Sequence, residues 1–309
     1  MSVVVFAYHD VGCMGIRTLG RLGVDVAAVY TYEDDPAEAA WFGSVRGTCE
    51  ELGIPCFPGS DPHAPEELER IRGLRPDAFF SFYYRDMIRE PLLSLPPRGA
   101  VNLHGSLLPR YRGRAPVNWM LLHGETRGGA TLHHMVKRAD AGDIVDQEPF
   151  DIGPDDTPAD VFARLLPAAE RVLERSARAV IDGTAPRIVQ MESKATYHGR
   201  RRPEDGRIDW RWAAEDVRNL VRAVTRPYPG AFTFAGARKV LIWWAAHEAR
   251  PPLRPLAPGT VTRSADGVFV TCGDRRLLRL VCVELDGRAS DGLELAGVLR
   301  DGLVLGDGE

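Results

Sequence analysis

The first hundred residues alternate unbroken apolar runs with amphipathic, charged stretches. Val3–Tyr8 (VVVFAY) is continuously apolar, as in a strand buried on both faces. Gly12 and Gly15 mark a turn that leads into a helix around Ile16–Leu22, and Val24–Tyr30 is the next strand. SVRGTCEELG predicts a helix stopping at Gly53, followed by the short strand IPCF. APEELERIRGL predicts a helix with proline at its start. Asp77–Tyr84, Gly99–Ser106 and the segment GATLHHM are further strands. Such a rhythm predicts a parallel sheet with crossover helices, whose ligands bind beyond the carboxyl ends of the strands. The junctions FSFYYRDMI and NLHGSLLP fall at such ends.

Thr157–Gly183 reads as one long helix, with Thr157 as cap, Pro158 first, Asp160 third and Gly183 as the stop. Pro167 is expected to kink or split it. Beyond Arg200 the texture changes. YHGRRRPEDGRIDW is charged and contains Pro and Gly, as linkers do; AEDVRNLVRAV is a helix. The short runs GAFTFAG, KVLIWWA, GTVTRSADGVFVTCGD and LRLVCVEL then predict antiparallel strands. The expected fold class is α/β. A Rossmann-like, mostly parallel core spans residues 1–202, and a smaller β-rich, OB- or barrel-like domain spans 203–309.

Composition narrows the functional classes. At 309 residues, 44% hydrophobic and 27% charged, the chain reads as soluble and globular, and its longest apolar run, Val240–Ala246, is too short to cross a bilayer. The N-terminus lacks the basic segment and cleavage site of a signal peptide, so a cytoplasmic location is expected. Five cysteines (Cys13, Cys49, Cys56, Cys272, Cys282) without CxxC spacing suggest reduced thiols and no metal site. A net charge of -4 argues against nucleic acid as the main partner.

Chemistry concentrates in Asn102–Pro116 (NLHGSLLPRYRGRAP). On a strand, Asn102 and His104 share one face. A neutral imidazole can move a proton near pH 7, and an amide can donate to a developing oxyanion, a pairing suited to amine attack on a carbonyl carbon. Asp140, in RADAGD, could favour an imidazolium at His104 and select its tautomer. It could equally close a turn, and spacing leaves both readings open. YHDVGC after the first strand is no GxGxxG fingerprint, so no dinucleotide cofactor is indicated.

NLHGSLLPRYRGRAP together with VKRADAGDIV resembles the 10-formyltetrahydrofolate-dependent formyltransferases. These act on methionyl-tRNA, glycinamide ribonucleotide or nucleotide-linked amino sugars. With VVVFAYHDVGC, FSFYYRDMI, RGRAPVNW, MVKRADAGDIV and GRRRPEDG, the likeness is greatest to the formyltransferase domains of ArnA-type polymyxin-resistance proteins. Those domains formylate UDP-4-amino-4-deoxy-L-arabinose for lipid A modification. The resemblance implies that Asn102 stabilises the oxyanion, His104 acts as general acid/base and Asp140 holds His104. It assigns the folate co-substrate to Asp86, Met87, Ile88, Arg114 and the run Val136, Lys137, Arg138, Ala139 and Asp140. Asp86 and Met87 stand where the ArnA type carries His and Leu. It implies no metal.

For the sugar nucleotide, Arg200, Arg201 and Arg202 could grip a diphosphate, and Tyr8, His9 and Asp10 could face the amino sugar. The alternative acceptors are methionyl-tRNA and other nucleotide-linked amino sugars; a binding module without catalysis is a third reading. The acidic segment Thr31–Gly43, with no Lys or Arg, counts against tRNA. ArnA-type proteins continue into an NAD-dependent decarboxylase. The resemblance therefore implies a free-standing enzyme or one part of a bifunctional protein, with a decarboxylase partner and a homo-oligomer both compatible.

Overall fold

The computed structural model describes residues 1–34, 42–248, 255–291 and 294–306; residues 35–41 of the acidic segment lie outside them. The chain forms two compact units. The first comprises Met1–Pro116, Arg127–Asp151 and Phe162–Gly199; the second comprises Val117–Thr126, Ile152–Val161 and Arg200–Glu309. No helix of the described residues is long and apolar enough to cross a membrane.

In chain order the elements up to residue 198 are β1 (Ser2–Ala7), α1 (His9–Arg21), β2 (Asp25–Thr31), α2 (Val45–Leu52), β3 (Cys56–Pro58), α3 (Pro65–Leu74), β4 (Ala78–Phe82), β5 (Ala100–His104), β6 (Arg112–Gly113), α4 (Pro116–Leu122), β7 (Arg127–His134), β8 (Ile144–Asp151), α5 (Pro158–Asp182) and β9 (Tyr197–His198). The seven-stranded sheet of the first unit has the order β3-β2-β1-β4-β5-β7-β8. Its first five strands are parallel, and β7 and β8 close it antiparallel. The mostly parallel core expected from the apolar runs is present. Strand order reverses between β1 and β4, so loops following both strands open at one crevice.

One face of this sheet packs Val4, Phe6, Ala28, Tyr30, Phe79 and Ile88 with Ile71 of α3. Each fully buried Val, Ile or Phe among them contributes roughly 1.5–3 kcal/mol. Two local expectations are corrected: the turn at Gly12 and Gly15, and a split of the long helix at Pro167. Helix α1 starts at His9 rather than near Ile16, because Val11, Ile16 and Leu19 already share a buried face. Gly15 lies inside the helix, where a Cβ would come within 2.5 Å of the Phe82 ring; it marks close packing instead of a turn. Helix α5 runs through Pro167 without a break. Leu165, Ala168, Ala169 and Val172 continue its buried face across the proline, which outweighs one lost backbone hydrogen bond.

The second unit adds α6 (Ala214–Val224), β10 (Ala231–Ala235), β11 (Arg238–His247), β12 (Val261–Ser264), β13 (Gly267–Thr271), β14 (Leu277–Leu285), β15 (Arg288–Asp291) and α7 (Leu295–Val298). Its antiparallel sheet runs β10-β11-β14-β13-β12, with β15 also on β14. Buried Val240, Ile242, Val268, Val270, Leu278 and Leu280 give it the period-2 inward face that a small β-domain needs. Leu303 and Leu305 bond back to Val261 and Gly259, while Gly306 exchanges two backbone hydrogen bonds with Phe234 of β10. The sheet thereby closes barrel-like through residues 303–306.

Candidate active site

The polar groups converge where β5 ends. Asn102 and His104 both lie on β5, between β4 and β7. Antiparallel pairing sets His133 of β7 opposite Asn102 and Thr131 opposite His104. The loop between β7 and β8 returns Asp140 to the same place. Its Oδ1 lies 3.8 Å from His104 Nδ1 and 3.3 Å from His133 Nε2. Its Oδ2 accepts the Gly113 N–H at 2.8 Å. The three residues expected to act together are thus gathered.

Several neighbours hold this geometry. His104 Nε2 lies 2.7 Å from the Tyr111 carbonyl, which can only accept, so the Nε2 atom bears the proton and Nδ1 of the neutral ring faces Asp140. The loop carrying Tyr111 is tied down by Thr131 Oγ1, which donates to the Ser106 carbonyl and accepts from the Leu108 N–H. Gly113 has φ +99, and a Cβ there would lie 2.3 Å from the His198 carbonyl. Only glycine brings that N–H to Asp140 without moving the β6–β9 pair.

Asp140 itself is left-handed, with φ 53. Gln190 Nε2 spans its loop, donating to the Asp140 carbonyl at 2.8 Å and the Gly142 carbonyl at 2.6 Å. The Gln190 amide oxygen accepts from Arg112 Nε and Nη2 at 3.0 and 2.8 Å. Arg112 is 0% exposed, its remaining charge met by Glu192 and the Tyr197 hydroxyl. Burial alone would raise the Asp140 pKa. When protonated, His104 by its charge and His133 by its hydrogen bond and charge, together with the Gly113 N–H, outweigh burial and hold the carboxylate well below its ordinary range.

The residues assigned to folate have varied surroundings. Asp86 follows β4 and accepts from the Tyr32 hydroxyl at 2.8 Å, while that oxygen accepts the Arg85 and Asp86 N–H groups. Met87 is 42% exposed, but Ile88 is 2% exposed and belongs to the core. Ile88 can offer a ligand only its backbone. Arg114 Nη2 donates to the Arg85 carbonyl at 2.9 Å, so this side chain joins the two loops. Val136 and Lys137 are exposed, Ala139 is half-buried, and Arg138 pairs with Glu192 at 2.7 Å. A cavity of about 500 Å³ opens beside the Asp86–Met87 turn, lined by Thr31, Tyr32, Asp61, His63 and Tyr84.

Of the residues assigned to the sugar, Tyr8 and His9 are each 7% exposed. The Tyr8 ring meets those of Tyr32 and Phe42 edge-on and carries the Arg85 guanidinium 4.1 Å from its centroid. His9 stacks on Phe42 at 4.4 Å. Asp10 Oδ1 accepts the Gly43 N–H at 2.6 Å. Arg200, Arg201 and Arg202 belong to the second unit. There Arg201 lies 5.0 Å from the Trp119 ring centroid and donates to the Asp205 carbonyl at 2.7 Å. Among the described residues, no group of three His, Cys, Asp or Glu side chains is placed to hold a metal ion.

Three contributors escaped the reading of the sequence: His133, Gln190 and the Tyr111 carbonyl. His133 stood in view in LHHM, yet only the register of β7 against β5 sets it beside Asn102. Gln190 lies fifty residues beyond Asp140, in a stretch without motif or period.

A profile described as formyl transferase matches residues 15–176, and one described as formyl transferase, C-terminal domain, matches residues 200–296. Among solved structures, the chain is similar to WlaRD, a sugar 3N-formyl transferase determined with dTDP and 5-N-formyl-THF. The identity is 15% and the TM-score 0.68, over 93% of this chain and 98% of that one. It is similar also to an N-formyltransferase from Helicobacter canadensis in complex with folinic acid and dTDP-3-aminofucose. There the identity is 17% and the TM-score 0.69, over 90% and 98% of the two chains. Glycinamide ribonucleotide transformylase 1 from Symbiobacterium toebii shares 21% identity at a TM-score of 0.53, over 62% of this chain and 93% of that one. At such identities these likenesses speak for the fold.

Proposed function

The chain belongs to the formyl transferase family, and on that premise we propose that it moves the formyl group of 10-formyltetrahydrofolate to the amino group of a nucleotide-linked amino sugar. The observation that carries this reading is the meeting of Asn102, His104 and Asp140 at the end of β5. The neighbours that carry dTDP, dTDP-3-aminofucose and folate compounds support the two substrate classes. We propose UDP-4-amino-4-deoxy-L-arabinose as the particular acceptor, on the ArnA-type segments of the sequence.

In the proposed reaction the sugar amine attacks the formyl carbon and a C–N bond forms. The carbonyl oxygen becomes an oxyanion, to which Asn102 Nδ2 donates. His104 takes the proton of the attacking amine on Nδ1, the atom left free by the Tyr111 carbonyl. The ionised Asp140, 3.8 Å away, favours the imidazolium so formed. His104 then returns the proton to N10 of the folate as the old C–N bond breaks, releasing tetrahydrofolate and the formamide. Acid–base catalysis of this kind is worth about 100- to 10,000-fold, and one oxyanion donor about 3–4 kcal/mol.

The test is turnover with 10-formyltetrahydrofolate and UDP-4-amino-4-deoxy-L-arabinose, with the product weighed by mass spectrometry. A gain of one formyl group at the 4-amino position is expected. Formylation of a dTDP-amino sugar in its place would keep the reaction and replace the acceptor. No transfer to any nucleotide-linked amino sugar would end the reading.

A further inference from the structure

The His133 ring is 2% exposed, so it meets other side chains of the site in place of solvent. Its Nδ1 lies 2.9 Å from the His134 carbonyl. A carbonyl only accepts, so Nδ1 carries a proton in every state of the ring. The variable atom is Nε2, which stands 3.2 Å from Asn102 Nδ2 and 3.3 Å from Asp140 Oδ1. Without a proton, Nε2 accepts from the Asn102 amide and offers Asp140 nothing. With a proton, it donates to Asp140 and can no longer accept from Asn102.

Resting on the catalytic reading of Asn102, His104 and Asp140, we propose that His133 is a positioning residue whose Nε2 orients the Asn102 amide and, when protonated, competes with His104 for Asp140. The neutral ring is the active form. It holds one Nδ2 hydrogen of Asn102 and leaves the other for the formyl oxygen. It also leaves Asp140 Oδ1 to His104, although that oxygen is nearer to His133, at 3.3 Å against 3.8 Å. A proton on His133 reverses both: Asn102 loses its anchor and Asp140 is drawn from His104. The titratable side chains around the ring are His104 on β5, Asp140 on the β7–β8 loop and His134 on β7. The His104 ring is 6.5 Å away between centroids, and His134 turns its Nε2 to the Pro186 carbonyl at 3.1 Å.

Two substitutions separate this role from mere packing. His133→Ala removes the anchor, and His133→Gln keeps a non-titrating acceptor within reach of Asn102. A misplacement of about 1 Å at a reacting centre can cost about 100-fold, so His133→Ala should lower kcat by about 10- to 100-fold. Both KM values should stay within about threefold, because the proposed role acts through Asn102 and Asp140. His133→Gln should recover most of kcat and make the acid limb of the pH profile shallower by one proton.

An assay-independent arm follows the side-chain amide of Asn102 by ¹⁵N NMR in the full chain. Its signals should move as His133 titrates in the wild type and stay still in His133→Gln. Wild-type kcat in His133→Ala, or an Asn102 amide indifferent to the titration, overturns the proposal. Should His104→Ala keep full turnover, the catalytic reading itself falls. Where no acceptor is formylated, the NMR arm still decides the role of His133.

Discussion

The cluster at the end of β5 and the arginine run Arg200–Arg202 are both dense in polar groups, and they are built in opposite ways. In the cluster, His104 and His133 are buried, Asn102 and Asp140 are partly so, and their polar atoms are aimed at one another. Asp140 has partners on both carboxylate oxygens, and each ring nitrogen of His133 faces a defined atom. In the run, Arg200 and Arg202 are exposed, and Arg201 is engaged locally by Trp119 and the Asp205 carbonyl. Low dielectric and fixed orientation make the first arrangement strong and intolerant of change, whereas solvent screens the second. Charge alone does not mark a site; polar groups held away from water with defined partners do.

The largest test of that contrast is His104→Ala. It should lower kcat by about 100- to 10,000-fold while a thermal melt stays near that of the wild type. Asn102→Ala comes next, at about 100-fold or more in kcat, since it removes one oxyanion donor. A loss confined to KM in either variant would return the cluster to the ordinary polar interior.

A third test uses pH. The folded pKa of Asp140 is depressed from 3.8, so its carboxylate stabilises the fold above the ordinary range and that contribution fades only as pH falls through the depressed value. Asp140→Asn should therefore melt lower than the wild type at pH 6. The gap should hold down to about pH 4 and narrow in stronger acid. A gap that closes already between pH 6 and 5 would show that Asp140 is not held as an ion. The smallest effect belongs to the arginine run. Arg201→Ala should raise the KM for the sugar nucleotide by about three- to tenfold, as expected for loss of about 1 kcal/mol of a half-buried charge contact, with kcat within twofold. If that KM stays put, Arg201 is a partner of Trp119 and nothing more.

How far the sequence reached follows the range of the interactions. The apolar runs placed β1, β2, β4 and β5 to within a few residues, because burial on both faces leaves its mark in consecutive positions. Asn102 and His104 were legible for the same local reason, the period of two along a strand. Asp140 needed the family resemblance, since a turn aspartate looks the same whether or not a histidine waits opposite. His133 and Gln190 depend on register and on contacts across 31 and 50 residues, which no local pattern encodes. The start of α1 and the continuity of α5 past Pro167 lie beyond any local pattern, because tertiary packing overrides the usual meaning of glycine and proline.

The closure of the second unit's sheet by residues 303–306 bears on a matter apart from catalysis. Those few residues cover backbone groups of both outer strands, β10 and β12. Removing them would expose two templates for intermolecular pairing, each ready to recruit another chain. Truncation before Leu303 should therefore show itself first as loss of soluble yield and growth of cross-β aggregates.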